Sequence, residues 1–251
     1  MSDTRSTWED RSAAYGDQLT GVLFRGLSAS ANGAIDQWHS WLIATRLAPG
    51  LAPGAQVLDV GCGYGRNSRI LLKARPDVQV VGMDLSSNYC RLYQDAGGRC
   101  VCADMAQMPF PTARFDGLMA ITSLMYAGHQ AATVLAEMHR ITKPGALMLL
   151  VDPGDEINRL IARLRGGRAA TPTGGSGFAR EGYVGLIDKA GFEVLHKGGN
   201  SWLSALLLVP GFATGERPWM QSLLQATSRR DCQEAGYAAH ALHRWVIARR
   251  R

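Results

Sequence analysis

A chain of 251 residues with 46% apolar content is long enough to bury a substantial core as one globular domain and does not require a second. Its formal charge of +6, 27 Lys and Arg against 21 Asp and Glu, comes mainly from arginines scattered along the sequence. That scatter speaks for the base composition of the gene more than for a nucleic-acid partner. No apolar run reaches the roughly 18 residues of a membrane span, and Cys62, Cys90, Cys100, Cys102 and Cys232 show no CxxC or CxxH spacing and no signal peptide before them, so no metal site and no membrane are expected and a reduced cytoplasm is the simplest compartment.

Residues 8–47 read as helical material that closes at the Pro49-Gly50 and Pro53-Gly54 turns. From 57 to 151 strands and helices alternate, which implies a parallel sheet with helices on both faces. The first strand, Val57-Leu58-Asp59-Val60, runs into Gly61-Cys62-Gly63-Tyr64-Gly65-Arg66. Glycines at 61, 63 and 65 remove Cβ atoms where the backbone must bend and a ligand must come close, and the helix that follows leaves N–H groups free at its start. A dinucleotide fingerprint would need its third glycine at position 66, where Arg66 stands. Asp59, just before the turn, suits a cationic ligand better than a pyrophosphate.

The next strand is Val80-Val81-Gly82-Met83-Asp84, followed by Leu85-Ser86; its final Asp is either a ligand carboxylate or an ordinary helix N-cap. Cys102-Ala103-Asp104-Met105 comes next, then Pro109-Phe110 and the Phe115-Asp116 pair. Cys100 and Cys102, two apart on a strand, share one face and read as core. Met138 to Thr142 then reads as a helix end, Lys143-Pro144-Gly145 as a turn, and Ala146 to Leu150 as a further strand.

Beyond 152, Arg159, Arg163, Arg165 and Arg168 lie opposite Ile157, Leu160, Ile161 and Leu164 at helical spacing, an amphipathic surface helix with a solvated basic face; an anionic substrate or carrier protein is the minority reading. A Gly/Thr/Pro-rich loop at 166–177 is expected to be mobile. A helix at 180–190, a strand at 192–197, an apolar insertion at about 200–236 and a strand at 240–248 complete the chain, with 249–251 a frayed end.

In order, over about residues 55–152, the four stretches from Val57, Val80, Cys102 and Met138 resemble the class I S-adenosylmethionine-dependent methyltransferases, and more softly their ubiquinone/menaquinone-type (type 11) small-molecule branch. The resemblance implies an α/β, Rossmann-like doubly wound sheet of order 3-2-1-4-5-7-6 with strand 7 antiparallel. It divides the single domain into an N-terminal helical cover (1–50), a cofactor-binding core (55–152), a loop, helix and sixth strand (153–199), a helical cap between strands 6 and 7 (200–237) and a final strand (238–251). It also implies S-adenosyl-L-methionine as cofactor and S-adenosyl-L-homocysteine as product, held by Asp59, Gly61, Cys62, Gly63, Gly65, Asp84 on the ribose, Leu85, Asp104 and Met105 at the adenine, Thr122, and Tyr15 from the N-terminal aromatic pattern with Trp8, which reads more simply as a structural staple.

Methyl transfer from a sulfonium is an in-line displacement that needs alignment and exclusion of water, and no metal. For an oxygen acceptor a general base helps, and His129 with Tyr126, just after strand 4, is the first choice. His129 reads equally as a surface histidine starting a helix. His240, at the active edge, competes with it ahead of His243, and His139 is expected to be solvated. Because the connection into strand 7 crosses the carboxyl edge, Trp202, Phe212 and Trp219, with Trp38 and His240, are candidates to contact substrate. Apolar residues of the insertion serve equally as a substrate roof, a satellite core or a dimer face, which leaves a homodimer open. Thr122-Ser123-Leu124-Met125 in place of an Asn/Asp-Pro-Pro-aromatic run argues against nucleobase amines. The expected acceptor is a small apolar or aromatic metabolite methylated at O or N; the alternatives are an RNA-modifying enzyme and a cofactor-binding protein with a regulatory or non-methylating role.

Overall fold

The computed structural model describes residues 2–164, 177–200, 217–232 and 241–251. Trp202, Phe212 and His240, the 166–176 part of the expected loop, most of the cap, and Arg165 and Arg168 lie outside the described residues.

Seven strands form one sheet in the order β3-β2-β1-β4-β5-β7-β6: β1 (Gln56–Val60), β2 (Gln79–Asp84), β3 (Cys100–Cys102), β4 (Phe115–Ile121), β5 (Thr142–Pro153), β6 (Phe192–Gly199) and β7 (His243–Arg250). The first five pair in parallel, and β7 runs antiparallel to both β5 and β6. This is the expected order, with the expected reversed strand. The central strands are apolar on both sides because helices cover both faces. Leu58, Val60, Leu118, Ala120, Met148 and Leu150 face one core, with Leu135 of α6 (Ala131–Ile141) and Ile187 of α8 (Arg180–Lys189). Their alternates Val57, Met119, Ile121, Leu149 and Val151 face the other, with Trp38 and Leu42 of α3 (Ala29–Leu42) and Leu71 of α4 (Arg66–Ala74).

The Lys143-Pro144-Gly145 turn is absorbed into β5 as an irregularity: the register passes from Phe115↔Thr142 to Gly117↔Leu147, with Gly145 at φ 78°. Asp116 closes this amino-end corner, accepting from Gln56 N at 3.0 Å and from Lys143 Nζ at 2.6 Å. The terminal arginines are ordered, not frayed, because each meets an acceptor on a neighbouring element: Arg249 pairs with Glu193, Arg250 donates to the Thr142 carbonyl and Arg251 pairs with Asp188.

Helices α1 (Ser2–Tyr15), α2 (Leu19–Val22) and α3 precede the sheet, and α5 (Ser87–Asp95) joins β2 to β3. The basic stretch forms α7 (Asp155–Leu164): Ile157 is buried, Arg159 is tied to Asp155 at 2.5 Å, and Leu160 is 43% exposed. Within the insertion, α9 (Pro218–Asp231) packs on α3, burying Met220 and Leu224 with Ala31, Ile35, Ile157 and Leu242. Ser228 also donates to Gln37 at 2.9 Å. The described part of the insertion thus forms a satellite core, and Trp219, 52% exposed, points away from it.

Candidate active site

The site begins at the turn after β1. Gly61, Gly63 and Gly65 have φ of 71°, 54° and 81°. A Cβ on Gly61 would lie 2.5 Å from Ser123 Cβ, and one on Gly65 would lie 2.1 Å from the Tyr93 ring. Both glycines are therefore required by handedness and by close packing. The turn is held to the next strand because Gly61 N and Cys62 N donate to the Met83 carbonyl at 2.7 and 3.1 Å.

Asp84 ends β2 directly beside this turn. Its Oδ2 accepts from Gly63 N at 2.8 Å and its Oδ1 from Ser86 N at 2.9 Å. Burial raises the pKa of this carboxyl above its ordinary value, against the pull of the Ser86, Gly63 and Leu85 backbone donors. N-capping of α5 falls to Ser86, whose Oγ accepts from Tyr89 N at 3.2 Å, so Asp84 is left to the cavity it lines.

That cavity, of about 500 Å³, opens at the carboxyl edge of the sheet. Gly61, Cys62 and Gly63 line it at the turn, Asp84 and Leu85 at the end of β2, and Asp104 and Met105 beyond β3. Asp104 shapes its own loop, accepting Ala106 N at 2.8 Å. Thr122, Ser123, Tyr126 and His129 line the far wall after β4. Thr122 has φ 56°, rare for a β-branched residue. Met125 N, next to Tyr126, donates to Asp152 Oδ1 at 2.9 Å, and Tyr183 donates to Asp152 Oδ2 at 2.7 Å. Burial pushes the Asp152 carboxyl up to about 7, against these two donors. His129 is exposed, on a 3-10 turn at the rim.

Helix α1 covers the cavity with Thr4, Arg5 and Trp8. Trp8 is more than the expected staple: its ring meets Tyr126 edge-on at 5.1 Å, and Arg11 stacks over it at 4.9 Å. Tyr15 lies two turns further along, beside Gly21 and outside the cavity lining. Asp59 and Gly65 are also outside it. Asp59 sits beneath the turn, fully buried, accepting from Ser68 Oγ at 2.7 Å, with burial raising its pKa to about 7. Gly65 makes room for Tyr93. Trp38 is buried in the core behind α4. His139 is half-buried against Phe192, at 5.4 Å between ring centres, near the opposite edge of the sheet. Cys100 turns inward, its sulfur 2.9 Å from that of Cys90, whereas Cys102 is exposed; the two do not share one buried face.

Sequence reasoning missed Arg66 and Asn67 as cavity-lining residues and Glu9 as the clamp on α5. Arg66 carried a signal only by standing where a third glycine was sought. Asn67 Oδ1 is buried without a hydrogen-bond partner on the cavity wall, an acceptor suited to an ammonium. An orphaned acceptor, a glycine cradle and a strand-end carboxylate fit an aminoacyl nucleoside, and the cavity volume falls within the roughly 300–1,000 Å³ of small-molecule sites.

Comparison with known proteins agrees. An O-methyltransferase of Penicillium expansum is 33% identical over 118 residues, 44% of this chain and 41% of the relative. A malonyl-[acyl-carrier protein] O-methyltransferase of Herminiimonas arsenicoxydans is 35% identical over 109 residues, 43% and 41% respectively. The chain thus matches less than half the length of either relative. Magnesium protoporphyrin IX methyltransferase of Synechocystis, solved with S-adenosylhomocysteine, shares the fold at a TM-score of 0.68 over 100% of this chain and 99% of its own, at 16% identity. Residues 57–145 match the family model described as a methyltransferase domain, and the sheet order around them is the one the resemblance to class I S-adenosylmethionine-dependent methyltransferases led us to expect.

Proposed function

We propose that the protein transfers a methyl group from S-adenosylmethionine to an oxygen or nitrogen of a small, apolar or aromatic metabolite in the cytoplasm. The observation that carries this reading is one cavity lined on one side by Gly61, Gly63, Asp84 and Asp104 and on the other by Trp8, Tyr126 and His129. When bound, the cofactor supplies a methyl group already activated on a sulfonium. The glycine turn and Asn67 receive its aminoacyl end, Asp84 its ribose, and Asp104 with Met105 its base.

The remaining task is alignment in a dry site, for which a metal is unnecessary. Trp8 and Tyr126, packed edge to face, close the top against water. In this reading His129, which lines the rim of the cavity with Tyr126, takes a proton from an acceptor hydroxyl. Thr122 shapes the wall between them and the glycine turn.

The test is to incubate purified protein and methyl-labelled S-adenosylmethionine with host extract separated into small-molecule, RNA and protein fractions. Label in the small-molecule fraction supports the reading. Label confined to RNA or protein overturns the substrate class, and absence of label from every fraction overturns methyl transfer.

A further inference from the structure

Behind Arg66, on the side of α3 and β7, three rings form a triangle: Trp38 to His39 at 5.7 Å, Trp38 to His243 at 6.1 Å and His39 to His243 at 5.3 Å between ring centres. All three residues are at most 2% exposed. Each has one ring nitrogen without a hydrogen-bond partner: Trp38 Nε1, His39 Nε2 and His243 Nδ1. Buried polar atoms are nearly always paired, so three orphans on mutually touching rings call for an occupant.

The character of the orphans follows from their neighbours. Arg66 Nη2 lies 3.3 Å from His39 Nδ1. A guanidinium only donates, so Nδ1 accepts and the proton of the neutral ring sits on Nε2. The free nitrogens of Trp38 and His39 are therefore both N–H donors. His243 is neutral as well, burial holding its pKa down at about 3, and its tautomer can adapt to either role. It is fixed in place because its backbone N donates to Asn200 Oδ1 at 2.9 Å. The charge of Arg66 is balanced by Asp36, so the triangle offers neutral donors with a cation at its edge. Arg66 itself lines the cofactor cavity, which makes the triangle adjacent to that cavity through one shared side chain.

We propose that Trp38, His39 and His243 form a recognition site for an oxygen-bearing group of the methyl acceptor, a carboxylate or an acidic hydroxyl on an apolar skeleton. Two N–H donors match two lone pairs, His243 adapts to a remaining proton, and the ring faces with Phe24, 6.1 Å from His243, accommodate the apolar part. The assignment rests on the methyl-transfer reading and names the acceptor class for it.

The test uses the full chain labelled with 15N-histidine and benzoate as the probe, with benzene as the oxygen-free control. Long-range 1H–15N spectra should show saturable shifts of His39 and His243 ring nitrogens with benzoate and none with benzene. Trp38→Phe, which keeps a ring and removes one donor, should weaken benzoate binding roughly threefold to tenfold. The absence of ring shifts with benzoate, or equal shifts with benzene, would overturn the proposal and leave a hydrated structural cluster. The wild-type titration decides this alone should the variant fail to fold. Calorimetric titration of the same sample with S-adenosylmethionine tests the cofactor separately: failure there would overturn the methyl-transfer reading while the benzoate result still decides the site.

Discussion

Ser87 N at the start of α5 donates to Glu9 Oε1 in α1 at 2.7 Å, tying the N-terminal helix to the chain three residues past Asp84. The other oxygen of Glu9 accepts from Ser86 Oγ at 3.0 Å and Asn88 N at 3.2 Å, so one carboxylate caps the positive end of α5. Because Trp8 is the residue before Glu9, this clamp also sets the ring that covers the cavity. Burial alone would raise the pKa of Glu9, but the Ser87 and Asn88 backbone donors and the Ser86 hydroxyl hold it below the ordinary glutamate value. For an acid with a lowered folded pKa, the stabilisation is present above the unfolded value and is lost as pH falls through the folded one. Glu9→Ala should destabilise the fold by about 1–2 kcal/mol at pH 7 and speed hydrogen exchange in α1. The gap from wild type should close in acid; thermal melts at pH 7 and pH 3 would reveal it.

Asp84→Ala should weaken S-adenosylmethionine binding tenfold or more, as expected from losing charge-assisted hydrogen bonds of about 1.5–3 kcal/mol. The variant also releases Gly63 N and Ser86 N, so part of the loss should appear as a looser glycine turn. Calorimetry of cofactor binding measures the first, and amide exchange at Gly63 measures the second. Unchanged affinity would mean that the ribose is held elsewhere.

The parts legible in the sequence are those fixed by short-range rules. The Gly61-x-Gly-x-Gly turn, the strand-end Asp84 and the unbroken apolar run of β5 each encode their place locally, and a sheet with covered faces follows from them. Residues that failed to read are those whose role depends on partners far along the chain. Glu9 meets Ser87 across 78 positions, and nothing in either neighbourhood announces the pair. Trp8 and Tyr15 are seven residues apart, about 10 Å along a helix, so a cavity that meets one leaves the other outside.

Asp152 links the far wall of the cavity to α8, holding Met125 N and Tyr183 Oη with its two oxygens. Its pKa is raised to about 7 by burial, so the folded state keeps a proton that the unfolded chain releases near pH 4. Between these values stability should fall with rising pH, by up to about 1.4 kcal/mol per pH unit for this group. Asp59 adds a slope of the same sign. Asp152→Asn cannot ionise and should remove its own share, so the variant gains on wild type as pH rises from 4 to 7. Urea unfolding at pH 4.5 and pH 7 tests this; parallel pH profiles for the two proteins would show that the carboxyl does not titrate in that range.

Thr122 follows β4 at its carboxyl end, with its N donating to Val151 O of β5 at 2.6 Å and the neighbouring Ser123 Oγ donating to Val60 O of β1 at 2.8 Å. Its left-handed φ of 56° costs a β-branched residue about 1–3 kcal/mol, a strain kept on the wall of the cavity. Thr122→Gly removes that strain but adds about 0.5–1 kcal/mol of unfolded-chain entropy. The net expectation is a melting temperature equal to wild type or a few degrees higher. Methyl transfer should nevertheless fall severalfold, because the wall loses the side chain that narrows it between the glycine turn and Tyr126. Melting curves and single-turnover rates on the same samples separate the two effects. A lower melting temperature would show that the packing of the Thr122 side chain outweighs the strain in its backbone.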